Sequence, residues 1–153
     1  MESGVVTKIN EVLKACGFDK IQNNRNEIIQ LIQTIIQKYD IQFNKQKLLI
    51  DFLEMYNGLS VDVSVAIRKS MKQYHFNGGF SISLDKILRY EDKENIDEQR
   101  QLSGENVFPV GDGFCDTIYI GESGKIYLTG GELIAENWDT FLVNLIDDKY
   151  ADL

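Results

Sequence analysis

The sequence predicts an α+β domain, a mostly antiparallel sheet with N-terminal helices and a C-terminal helix packed around it. Three observations predict it. Up to Tyr56 the apolar residues recur at helical spacing. From Leu59 they switch to strict alternation, and later to short apolar runs separated by glycine-containing turns; a last amphipathic segment then closes the chain. The 153 residues suit one compact domain. Hydrophobic residues at 43% against 26% charged, with a single proline, exclude collagen-like, mucin-like and largely disordered chains. At this size about two-thirds of the unfolded surface is buried on folding, so packing suffices without a disulfide or metal staple.

In the first segment Val5, Val6, Ile9, Val12, Leu13 and Cys16 share one helical face, and Gly17 follows as a residue able to take the left-handed conformation that ends helices. A second helix carries Ile28, Ile29, Leu31, Ile32, Ile35, Ile36 and Tyr39. Asn24 or Asn26 can cap it, and with Asn24 as cap Glu27 takes the third helical position. A third begins near Asn44, carries Leu48, Leu49, Phe52, Leu53, Met55 and Tyr56, and stops at Asn57-Gly58. Leu59, Val61, Val63, Val65 and Ile67 then alternate with Ser60, Asp62, Ser64 and Ala66, the period of a half-buried strand. Residues 68–78 read as an exposed connection, Phe80 to Leu84 as a second strand, and Asp85 to Tyr90 as a short helical piece. Residues 91–105 are the most polar stretch, compatible with a solvated helix or a loop. From Asn106 a meander is expected: NVFPVG, a loose reversal at Gly111 to Gly113, CDTIYIG, a tight reversal at Glu122-Ser123-Gly124, and KIYLTG. Trp138, Phe141, Leu142, Leu145 and Ile146 place a closing helix near Asn137 to Asp147.

The charge is unevenly placed. Residues 1–80 carry a net +2 and residues 81–153 a net −10, giving the total of −8. Such a field repels nucleic acid and anionic membrane and attracts basic protein surfaces, although acidity also serves simple solubility. Catalytic constellations are weak. His75 is the sole histidine, so a Ser-His-Asp triad, a Cys-His dyad or a multi-histidine metal site would all depend on it, and it sits in a basic, aromatic loop. Cys16 and Cys115 form no CxxC motif and read as two buried thiols.

Asp112 and Asp116 flank a Gly-rich turn that could bind a cation, but the spacing of an EF-hand loop is absent. A glycosidase-like carboxylate pair would require folding to bring two of the 24 acids together. Gly78-Gly79 and Gly130-Gly131 are not followed by the Lys-Ser/Thr of a phosphate loop and read as turns. Arg68, Lys69 and Lys72 with Tyr74, His75 and Phe76 form a small patch able to stack on bases, against the overall field. Trp138 reads as a core anchor. No run approaches 18 apolar residues, and the start MESGVVTKINEV lacks the basic-then-apolar pattern of a secretory signal, so a cytoplasmic location without membrane association is expected.

Several marks together carry a resemblance. Phe52-Leu53 is followed by Tyr56-Asn57-Gly58-Leu59 where helix gives way to strand. Pro109-Val110-Gly111, the strand Thr117 to Ile120, and the turn and strand Gly124-Lys125-Ile126-Tyr127 come later. In this order, from about Val5 to Ile146, the chain resembles the SUKH superfamily, and within it the third family of SUKH immunity proteins. It departs from that pattern where ESGK replaces an acidic-Gly turn and where Asn57 stands in place of a small residue or glycine.

The resemblance implies a bacterial cytoplasmic immunity protein that neutralises a polymorphic toxin, commonly a nuclease, with no catalytic residues, metal or cofactor. The alternative is an intracellular interaction module or scaffold with an endogenous partner. A toxin acting on nucleic acid needs a basic cleft for phosphates, which an acidic surface can occupy. The expected toxin-binding residues are Glu91, Asp92, Glu94, Asp97 and Glu98 in the polar stretch and Asp112, Asp116 and Glu122 near the meander turns. This expectation requires the acids to gather in patches.

Overall fold

The computed structural model describes residues 3–62 and 79–146. Expectations for Val63 to Ile67 and for the connection 68–78, His75 and its basic-aromatic neighbours included, lie outside the described residues. Among those described, six α-helices and a six-stranded antiparallel sheet make an α+β fold. The helices are α1 (Ser3–Ala15), α2 (Arg25–Tyr39), α3 (Gln46–Tyr56), α4 (Leu84–Tyr90), α5 (Lys93–Ser103) and α6 (Trp138–Ile146). The strands are β1 (Ser60–Asp62), β2 (Gly79–Ile82), β3 (Val107–Gly113), β4 (Asp116–Gly121), β5 (Ile126–Leu128) and β6 (Glu132–Ala135). Spatial order equals sequence order, β1 to β6, and each strand pairs antiparallel with the next.

Local chemistry sets the boundaries. Gly17, at φ 85°, takes the left-handed conformation just beyond α1. Asn24 caps α2, its side chain accepting from the Asn26 and Glu27 amides. α3 starts at Gln46 rather than Asn44, because Lys45 (φ −96°, ψ 58°) is not helical; the Asn44 amide donates to the Glu122 carboxylate. Ser83 caps α4 by accepting from the Lys86 amide, so the preceding strand ends at Ile82 and not Leu84. The polar stretch is helical: Asp92 caps α5, accepting from the Asn95 amide at 2.7 Å, and Gly104 ends it at φ 79°.

Three expectations are corrected. Gly111 to Gly113 is not a reversal; all three residues lie in β3. A Cβ at Gly111 would penetrate the Ser81 carbonyl oxygen and reach Ile82 Cα at 2.9 Å, so this glycine permits β2 and β3 to pair where a bulge follows Pro109. The reversal is the two-residue turn Phe114-Cys115, with φ of 56° and 66°. Gly79, expected in a turn, begins β2, whereas Gly130 and Gly131 do form one, at φ 90° and 70°. Finally, Cys115 is exposed and Cys16 only half-buried, because Cys115 occupies a hairpin tip and Cys16 directly follows the last residue of α1. A strand absent from the sequence reading, β6, completes the sheet.

One apolar cluster joins the helices to the sheet. Alternation along β4 sends Ile118 and Ile120 to the same face as Phe108, Ile126 and Leu128, where Phe43 meets Phe108 edge-on at 5.9 Å. Trp138 anchors α6 in this core as expected, stacked on Phe141 at 4.9 Å and edge-on to Phe52 and Phe80. The opposite face carries Pro109, Tyr119, Tyr127 and Leu133 in register across β3 to β6. Among the described residues, α5 roofs part of that face and leaves the rest open. No helix among the described residues is long and apolar enough to cross a membrane.

Candidate functional site

The open part of the second face is polar because the register makes it so. Ser60 pairs with Ser81, Ser81 with Asp112, and Asp112 with Thr117, placing four polar side chains in one row across β1 to β4. Asp62, two residues after Ser60, takes the same face, while Val61 and its partner Phe80 turn into the core. The row forms the floor of an open groove of about 610 Å³, closed at one end by the Phe114-Cys115 turn and by Asp116.

Its electrostatics follow from three carboxylates, Asp62, Asp112 and Asp116, around one groove. Asp112 accepts a hydrogen bond from the Ser81 hydroxyl, and Lys86 Nζ stands 3.6 Å from the same carboxylate oxygen and 3.1 Å from Ser81 Oγ. The Asp112 side chain is still 57% exposed, so it can present charge to a partner despite Lys86. Thr129 completes the rim by accepting from the Thr117 amide. Hydroxyls and carboxylates on a rigid sheet suit recognition of lysine or arginine side chains. Among the described residues no three His, Cys, Asp or Glu side chains converge as a metal-binding group.

The eight carboxylates singled out from the sequence do not share one patch. Asp112 and Asp116 line the groove. Asp97 and Glu122 line a separate recess with Arg100 and Glu105, at the far end of β4, about 17 Å along the strand. Glu94 and Glu98 are exposed on α5. Others have local duties. Glu91 accepts a 2.8 Å hydrogen bond from Tyr119, Asp92 caps α5, Asp97 pairs with Lys93 at 3.2 Å, and Glu122 holds the Asn44 amide.

Two acids went unnoticed in the sequence. Asp62 is marked only by occupying an exposed position of an alternating strand beside Ser60. Glu105 has no local signal, since its partners are 18 and 22 residues away: Ser123 through its amide and hydroxyl at 2.8 and 2.7 Å, and the Tyr127 hydroxyl at 2.6 Å. Burial pushes the Glu105 carboxyl up, but the Tyr127 and Ser123 hydrogen bonds outweigh it and hold the group below its ordinary value. Burial first, and then the negative charge of Glu91, push the Tyr119 phenol far up, so it remains a hydrogen-bond donor. Comparisons of the chain with protein-family models, with curated proteins and with solved structures return no match.

Proposed function

We propose that this chain is a non-enzymatic immunity protein that binds and neutralises a toxin domain, a nuclease being the best fit, by presenting carboxylates to its basic cleft. The observation that carries the reading is the groove holding Asp62, Asp112 and Asp116 on the polar face of the sheet, in a chain of net charge −8. A cleft lined with Lys and Arg to hold phosphates meets in this groove both the charge and the acceptors that phosphate oxygens would supply. The long-range field of the acidic second half accelerates encounter. Exposed Glu94 and Glu98 on α5 add to that field away from the groove.

The test is co-expression with the toxin domain encoded beside this chain. Co-purification and protection are expected at physiological salt, with faster association at low salt. Asp112→Asn with Asp116→Asn keeps the side-chain shapes, leaves folding intact, and weakens binding at least about tenfold. Absence of binding or protection at both salt concentrations defeats the proposal. A growth phenotype on deletion with no toxin present would support an endogenous partner in its place.

A further inference from the structure

The helix α5 has an unusual attachment. Of its eleven residues only Ile96 and Gln99 are buried, while Leu102 is 55% exposed, so little apolar contact holds it. The helix and its flanks are secured instead by polar bonds to β4, β5 and the turns that follow them. Just before the helix, Glu91 accepts from the Tyr119 hydroxyl at 2.8 Å. In its middle, Gln99 Oε1 accepts from the Gly131 amide at 2.7 Å. Just after it, Glu105 accepts from the Tyr127 hydroxyl at 2.6 Å and from the Ser123 amide and hydroxyl. A further bond, Lys93 Nζ to the Asp40 carbonyl at 3.3 Å, is exposed and contributes little.

Short non-helical segments flank α5 on both sides. Glu91 and Asp92 are in extended conformation, and Gly104 is left-handed at φ 79°. Beneath lie Tyr119, fully buried, and Tyr127, 5% exposed. Along β4, Tyr119 continues the sheet face that two residues earlier, at Thr117, floors the groove. Phe108, Ile118, Ile120 and Phe141 pack on the other face, and α5 contributes a single apolar residue, Ile96, to the buried cluster.

We propose that α5, together with the flanking Glu91 and Glu105, is a strap that opens as a unit, uncovering Tyr119 and Tyr127 while the remaining fold stays closed. Segments held by few apolar contacts are those that open below the global unfolding free energy. Opening lengthens the open sheet face from Thr117 to Tyr127, whatever the groove binds, so the inference stands independently of the proposed function.

Native-state hydrogen exchange on the full chain tests it. Amides in the second half of α5 are expected to exchange faster than those of Leu53 and Ile120, and with little dependence on low urea. Tyr119→Phe removes one bond to a charged acceptor and speeds α5 exchange about tenfold. Tyr127→Phe does the same and serves if the first variant fails to fold. Phe141→Leu is the discriminating control. It weakens closed and strap-open forms alike, so it speeds exchange at Leu53 and Ile120 and leaves α5 unchanged. If Phe141→Leu speeds α5 exchange by the same factor as Leu53, or if α5 shares the steep urea dependence of β4, the strap does not exist.

Discussion

Replacing Cys115 with glycine should make this protein more stable, although glycine usually weakens a strand or turn neighbour. Gly113 and Asp116 pair across β3 and β4, leaving Phe114 and Cys115 as the whole reversal, with φ of 56° and 66°. Two-residue reversals of this hand favour Asn-Gly or Gly-Gly, because both central residues need positive φ. A side chain in that region costs about 1–2 kcal/mol, and glycine returns about 0.5–1 kcal/mol through its freer unfolded chain, leaving a net gain of about 0.5–1 kcal/mol. Cys115 is exposed, so losing its side chain forfeits little packing. For 153 residues at about 2.1 cal/mol/K each, the gain corresponds to a Tm rise of about 2–3 °C. Phe114 is a poorer target, since its ring meets Phe141 edge-on at 6.4 Å. The assay is thermal and urea unfolding of Cys115→Gly beside Cys115→Ala, which removes the thiol but retains the unfavourable backbone. Identical midpoints for the two variants would refute the argument from backbone strain.

Two more predictions rest on the β2–β3 pairing and on Glu105. Gly111→Ala drives a methyl group into the Ser81 carbonyl and is expected to cost about 3 kcal/mol, the upper end for overpacking, read as a lowered urea midpoint. An unchanged midpoint would mean the strands separate freely there. The Glu105 carboxyl is held below its ordinary value of 4.5, so the folded state binds fewer protons than the unfolded one. Its stabilisation is therefore complete above about pH 4.5 and is lost as pH falls through the lower folded-state value. Glu105→Gln should flatten that part of the stability profile between pH 5 and pH 3, and an identical acid limb in both proteins would count against it.

The helices were legible where burial is one-sided and periodic. Ile28, Ile32 and Ile35 lie on the buried face of α2, and the Asn24 cap stands where residue chemistry places it. α5 is not separable from a loop by periodicity because its attachment is polar: of its two apolar residues, Ile96 is buried and Leu102 is exposed. β6 escaped because Glu132 and Leu133 are exposed at the sheet edge and only Ala135 is buried. The Gly111–Gly113 error has a sharper cause. Glycine serves equally for positive φ and for close backbone approach, and here it serves the second, while the true reversal uses Phe114 and Cys115, neither of which signals a turn. For the groove, sequence supplied Asp112 and Asp116, but only the strand register brings Asp62, Ser60 and Ser81 beside them.

The neighbour-to-neighbour order of the sheet bears on how the chain reaches this state. The two-residue β3–β4 loop closes with minimal loss of chain freedom, and β5 can then add across a short turn and β6 across another. Assembly can therefore zip outward from a central nucleus without waiting for distant segments to find each other. Such a route predicts quicker folding than an equally large Greek-key sheet, with Tyr119 and Ile120 among the first side chains to acquire their final surroundings.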